Sequence, residues 1–305
     1  MGTYRSGFVT FTGRPNAGKS TLMNAMVGSK VAITSDRPQT TRRVIRGIVT
    51  RPTGQLIIVD TPGMHRPRTL LGERLNDQVR EAWSSVDVVG LCLPANEPIG
   101  PGDRFIAREV REATRKPIVA LVTKVDAVRK DAMPEVLMNV QALDEELELG
   151  FATIIPVSAV AGFQVETVTD ELITFLPEGP VLYPDGVVAD EDVEITIAEL
   201  IREAALSGVS DELPHSIAVV VEEIVPREDR PADRPLTDVR ANLFVERDSQ
   251  KGIIIGKGGS RLRDVGATAR KGIEEVLGTP VFLDLHVKVA KDWQKDPKQL
   301  RRLGF

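Results

Sequence analysis

With 305 residues, 42% of them hydrophobic and 27% charged, the chain has a globular composition and about twice the length of a typical domain, so two domains are expected. A net charge of −5 excludes a wholly basic nucleic-acid binder, the single Cys92 excludes an intramolecular disulfide and fits a reducing compartment, and no apolar run approaches the ~18 residues of a membrane-spanning helix. The charge is uneven: residues 251–305 carry twelve Lys and Arg against six Asp and Glu, a balance of +6 that leaves −11 on the rest, so a localised polyanion-binding surface is expected near the C-terminus.

Short apolar runs alternate with helical patterns over the first 176 residues. GFVTFTG (7–13) reads as a buried strand and KSTLMNAMVG (19–28) as a helix closed by Gly28, followed by a polar, unpatterned loop over 29–42. RVIRGIVTR and GQLIIVD read as two strands joined through Pro52-Thr53-Gly54, a hairpin signal. Then come an amphipathic helix (70–86), a strand (87–95), a helix (102–113), a strand (116–126), a helix with Pro134 near its start, a strand (151–159) and a last helix (165–176). Continuous apolar strands separated by helices imply an α/β domain with a mainly parallel sheet covered on both faces. The Pro- and Gly-containing stretch LPEGPVLYPDGVVADED, with its acidic end, reads as a linker. Beyond it the pattern is helix (193–207), strand (216–225), strand (238–246), glycine turn, helix (260–277), strand (280–290) and a charged tail, a smaller α+β domain. The expected division is 1–178, a linker at 179–192, and 193–305.

GRPNAGKS, comprising Gly13, Arg14, Pro15, Asn16, Ala17, Gly18, Lys19 and Ser20, lies between a strand and a helix, the context a phosphate-binding loop needs. Its glycines let backbone N–H groups turn inward, and the helix N-terminus adds partial positive charge. Thr21 follows within reach of the same phosphates. Lys19 is expected on the β- and γ-phosphates, and the Ser20 hydroxyl on Mg2+. In DTPG (60–63), Asp60 is placed to hold Mg2+, and Gly63 can bring its N–H to a γ-phosphate. Between them, RPQTTRR (37–43) supplies a threonine able to ligate Mg2+, with Thr41 the first choice and Thr40 the second. Lys19, Thr41, Asp60 and Gly63 are thus the candidates for catalysis.

TKVD (123–126) follows the apolar strand 117–122. A carboxylate at Asp126 accepts from the N1–H and N2 amine of guanine and repels adenine, a discrimination that can reach roughly 10⁴–10⁵. The stem of Lys124 can cover one face of the base, and Ser158 and Ala159, ending the next strand, fit the loop that meets O6. Thr123 stands where Asn is usual in such a motif. The missing carboxamide is expected to cost one hydrogen bond, about 1 kcal/mol, without touching the discrimination by Asp126.

KGIIIGKGGSRLR (251–263) places Gly256, Lys257, Gly258 and Gly259 after an isoleucine run and before a helix. A glycine-edged loop lets a nucleic-acid backbone pass close. Lys251, Lys257, Arg261 and Arg263 are the expected phosphate partners, with Ile255 beside an apolar groove for single-stranded bases. The loop resembles the GxxG loop of a KH domain in its helix-first, type II form. The basic end, 289–305, reads either as a further RNA contact or as a solvated helix.

Taken in order, GRPNAGKS, QTTR, DTPG, TKVD, VSA and the C-terminal domain resemble the Era-type GTPases of bacteria, in the TrmE–Era group of translation-factor-related GTPases, over essentially the whole chain. The resemblance implies an α/β P-loop GTPase domain followed by a type II KH domain, and a GTPase that cycles between GTP and GDP with Mg2+. Its partners would be single-stranded ribosomal RNA at the 3′ end of the small-subunit RNA, and the small ribosomal subunit during assembly. A monomer in the cytoplasm is expected, with peripheral attachment at the inner face of the cell membrane as the alternative location. Met64 follows DTPG where a water-orienting glutamine stands in Ras-like proteins, which implies slow intrinsic hydrolysis. Asn16 matches the K+ ligand of related potassium-activated GTPases; a loop-stabilising hydrogen bond is the other reading. Thr123 and Met64 together motivate an alternative, an RNA-binding protein with a degenerate, non-switching nucleotide site.

Overall fold

The computed structural model describes residues 3–34, 44–64, 67, 69–207, 216–231 and 233–305. Thr40, Thr41, His65 and His215 lie outside them. The chain forms two compact units, the first running to Asp190 and the second from Glu191 to Phe305, with residues 69–71 grouped with the second.

In the first unit the strands are β1 (Arg5–Thr12), β2 (Ile45–Arg51), β3 (Gly54–Asp60), β4 (Val88–Pro94), β5 (Ile118–Thr123) and β6 (Phe151–Pro156). They form one sheet in the order β2-β3-β1-β4-β5-β6. Only the β2–β3 pair is antiparallel, with Ile45 opposite Asp60 and Arg51 opposite Gly54. Every residue of β3, β4 and β5 is buried, whereas the edge strands β2 and β6 are partly exposed. This is the reason the central runs are apolar without alternation.

The helices are α1 (Lys19–Val27), α2 (Leu70–Ser85), α3 (Pro101–Ala113), α4 (Met133–Leu147) and α5 (Val165–Thr174). Leu22 and Met23 of α1 pack with Val168 and Leu172 of α5 on one side of the sheet. Val79 and Trp83 of α2, Ile106 of α3 and Val140 of α4 belong to a second cluster that includes Val89 and Leu91 of β4. β1 lies between β3 and β4, so the chain leaves it at the point where strand order reverses, the place where open α/β sheets bind ligands.

Residues expected as a linker have partners on this unit. Gln55, fully buried in β3, accepts from the N–H groups of Leu182 and Tyr183 at 2.8 and 2.9 Å and donates to Tyr183 O at 2.9 Å. Ile48 N–H donates to Val188 O at 2.9 Å, and Asp190 N–H to Arg46 O at 3.2 Å, so this segment runs along the free edge of β2.

The second unit has the order α6 (Val193–Leu206), β7 (Ala218–Pro226), β8 (Thr237–Val245), α7 (Asp248–Ile255), α8 (Ser260–Leu277), β9 (Val281–Val289) and α9 (Pro297–Arg302). Its sheet runs β7-β8-β9, with β7–β8 antiparallel and β8–β9 parallel. Ile197 and Ile201 of α6, Ile254 of α7 and Ile273 of α8 cover Val239, Ala241 and Leu243 of β8.

The sequence pattern misses α7, because its isoleucine run is β-branched and disfavours helix. Gln250 supplies the compensation: its side-chain oxygen accepts from Glu246 and Arg247 N–H at 2.9 and 3.1 Å, capping the first turn. The basic tail is likewise not a merely solvated helix. Trp293 is fully buried, donates Nε1–H to Ser216 O at 3.1 Å and stacks on Phe305.

Candidate nucleotide-binding site and glycine-loop surface

GRPNAGKS turns from the end of β1 into the first turn of α1. Gly13 has φ 151°, and a Cβ there would lie 2.5 Å from Cys92 O, so only glycine lets the loop pass this close to β4. Lys19 folds back across the loop and donates to Gly13 O at 3.0 Å and Arg14 O at 2.8 Å. Burial holds its ammonium below the usual lysine range, while the Asp60 carboxylate acts in the opposite direction. The neighbouring Cys92 thiol is pushed up to about 12 by burial, so it stays neutral beside that ammonium at physiological pH.

DTPG reaches the same place from β3. Ser20 Oγ donates to Asp60 Oδ2 at 2.8 Å, and Asp60 is fully buried. A hydroxyl and a carboxylate brought together beside Lys19 form an oxygen donor set of the kind a hard divalent cation takes. A Cβ added to Gly63 would lie 3.7 Å from Lys19 Nζ and 3.8 Å from Pro15 N, which places DTPG against the phosphate loop. Met64 is buried in the cluster that holds Val79 and Trp83. Asn16 is exposed with φ 62°.

The side chain of Arg14 leaves the loop altogether. Its Nε donates to Asp103 Oδ1 at 2.7 Å and its guanidinium lies 3.3 Å from Glu97, so it ties the loop to the start of α3. Asp103, an acidic residue in the first turn of α3, also accepts from Gly100 N–H.

A cavity of about 180 Å³ is walled by Gly18, Thr21, Thr123, Lys124, Asp126 and Ala159, which brings together four of the residues expected at the base. Thr21, expected with the phosphates, also lines this cavity. Lys124 is in the left-handed conformation at φ 57°, where the chain leaves β5 and turns Asp126 toward the next loop. Ser158 Oγ donates to Asp126 Oδ1 at 2.5 Å and accepts from Ala161 N–H at 3.0 Å. Ser158 therefore orients the carboxylate. Thr123 Oγ1 donates to Ala17 O at 2.7 Å. A hydroxyl thus ties TKVD to the GRPNAGKS loop.

In the second unit, Gly256, Lys257, Gly258 and Gly259 form the turn between α7 and α8. Gly256 has φ 71°, and a Cβ there would meet Arg261 Cβ at 2.8 Å. Lys257 is exposed, and no atom lies within 4 Å of where a Cβ on Gly258 would stand, so the outer side of the turn is open. Lys251 and Ile255 are half-buried beside it.

The two arginines are partly engaged elsewhere. Arg261 donates to Ala205 O and Ser207 O at the end of α6, where its charge complements the helix dipole. Arg263 donates to Gly258 O and Gly259 O, bracing the turn.

A P-loop nucleotide site of this layout, on a sheet of this order, with a helix-first KH fold in the same chain, defines a GTPase with a KH domain. A family model described as 50S ribosome-binding GTPase matches residues 8–124, and one described as KH domain matches 212–294. The chain is 65% identical to the GTPase Era of Streptomyces coelicolor, over 99% of this chain and 95% of that one. It is 62% identical to the GTPase Era of Mycobacterium avium over the full length of both. A crystal structure of Era in complex with MgGDPNP and nucleotides 1506–1542 of 16S ribosomal RNA superposes with a TM-score of 0.93 at 32% identity, over 99% of each chain. One of an Aquifex aeolicus Era variant bound to GDP·AlF4− gives 0.91 at 32% identity, over 98% of this chain and 99% of that one. The chain belongs to the Era GTPase family.

Proposed function

We propose that this GTPase acts in assembly of the small ribosomal subunit, its KH domain holding the single-stranded 3′ end of the small-subunit RNA. The observation that carries the reading is the likeness, along the whole chain, to an Era structure that contains a fragment of 16S RNA. The family model that names the large subunit covers residues 8–124 only and leaves out the RNA-binding domain. Lys257 on the open side of the glycine turn is the phosphate contact, with Lys251 beside it.

In the nucleotide site, Lys19 and the N-terminus of α1 hold the phosphates and Asp126 holds the base. Ser20 and Asp60 hold Mg2+, which when bound neutralises charge on the phosphate oxygens. Gly63 brings its N–H toward the γ-phosphate. Met64, turned into the core, has no polar group to orient water, so turnover without a partner is slow. Thr41 is the threonine of choice for the remaining Mg2+ position.

GTP favours the RNA-competent state and hydrolysis releases the factor, which requires different RNA affinities in the two nucleotide states. A labelled RNA of the 3′-terminal sequence is expected to bind more tightly with a non-hydrolysable GTP analogue than with GDP. Equal affinities would remove the switch. Lys257→Glu is expected to weaken RNA binding in both states and to lower the salt slope by about one phosphate contact. An unchanged slope would exclude Lys257 from the interface.

We extend the reading to K+ at Asn16, an exposed residue of the phosphate loop. Turnover in KCl is expected to exceed turnover in NaCl, and Asn16→Ala to abolish that difference. Equal rates in the two salts would leave Asn16 as a loop residue.

A further inference from the structure

We propose that this protein reads guanine without its N7, and that Thr123 sets this specificity. The inference rests on the base-site reading above. The edge of guanine away from Asp126 presents two acceptors, N7 and O6, so N7 can be read only by a donor. Thr123 has one hydroxyl hydrogen, and it is engaged: Oγ1 donates to Ala17 O at 2.7 Å. Both residues are buried, Thr123 at 4% exposure and Ala17 at 0%. Turning the hydroxyl to the base would strip a buried carbonyl of that partner, a loss comparable to the bond gained. A carboxamide carries two N–H hydrogens and can serve a carbonyl and a ring nitrogen together, whereas a hydroxyl can serve one. Position 123 therefore keeps the loop-to-loop tie and gives up N7.

The departure carries no cost in selectivity between purines. N7 is an acceptor in adenine and guanine alike, so a contact there adds affinity without discriminating. Discrimination sits in Asp126, held by Ser158 at 2.5 Å. Thr21 and Lys124 are the other side-chain donors on the cavity wall, and either of them serving N7 would overturn the inference.

The experiment compares the dissociation constants of GDP, 7-deaza-GDP and ADP for the full-length protein with Mg2+. In 7-deaza-GDP a C–H replaces N7 and the rest of the base is kept. The wild-type protein is expected to bind GDP and 7-deaza-GDP within about twofold of each other, since no hydrogen bond is lost. Thr123→Asn is expected to bind GDP about fivefold more tightly than 7-deaza-GDP, the worth of one restored bond. Thr123→Val, which removes only the tie to Ala17, should weaken both ligands together and leave their ratio unchanged. Wild-type discrimination of about fivefold or more against 7-deaza-GDP would overturn the inference while leaving the base site intact. GDP binding no tighter than ADP would instead overturn the base-site reading itself, and the inference with it.

Discussion

Lys19→Ala lowers GTP turnover by about 10³-fold, the scale of losing a charged donor aimed at developing phosphate charge, and leaves the first unit folded. The two halves of this expectation have separate causes. In the folded protein Lys19 is a desolvated cation held by two backbone carbonyls, Gly13 O and Arg14 O. Its removal loses two hydrogen bonds but also takes a charge out of a buried site, so unfolding free energy should change by no more than about 1–2 kcal/mol. Nothing else among the described residues of the loop places a cation there, because the side chain of Arg14 is drawn away to Asp103 and Glu97. Single-turnover hydrolysis alongside a thermal melt checks both halves. Turnover within tenfold of wild type would mean that Lys19 closes the loop but does not serve the phosphates, and would favour a degenerate nucleotide site.

Asp126→Asn lowers GDP affinity by about 10²-fold or more and erases most of the preference over ADP, because the group that accepts two guanine donors becomes half donor itself. The same substitution should raise affinity for xanthosine diphosphate, whose C2 carbonyl accepts from the new amide. Ser158→Ala is the companion change. It leaves the carboxylate but removes its 2.5 Å anchor, so it should weaken guanine binding about fivefold to tenfold without inverting the preference. Competition titrations with the three diphosphates separate the cases. If Asp126→Asn left the GDP-to-ADP ratio unchanged, the cavity beside Thr123 and Lys124 would not be the base site.

Much of this site was legible in the chain because each part is local. GRPNAGKS needs a strand before it and a helix after it, and those eight-residue and nine-residue elements announce themselves by their apolar pattern. DTPG and TKVD stand at strand ends for the same reason. The glycine turn at 256–259 is legible because a run of glycines has few uses other than close approach. The isoleucines before it point the wrong way, toward a strand, whereas the Gln250 cap and the burial of Ile254 against β8 favour a helix.

What the sequence by itself determined is the inventory: which residues could bind phosphate, metal, base and RNA, and the order of elements that carries them. Partner choice was decided by the tertiary structure. Arg14 pairs with Asp103, 89 positions away; Thr123 with Ala17, 106 away; and Gln55 with Tyr183, 128 away. The local pattern carries no record of such pairs, because a guanidinium, a hydroxyl or an amide has the same appetite for hydrogen bonds wherever it stands. Only packing settles which buried carbonyl or carboxylate it meets, and a single hydroxyl that has met one partner has no hydrogen left for a second.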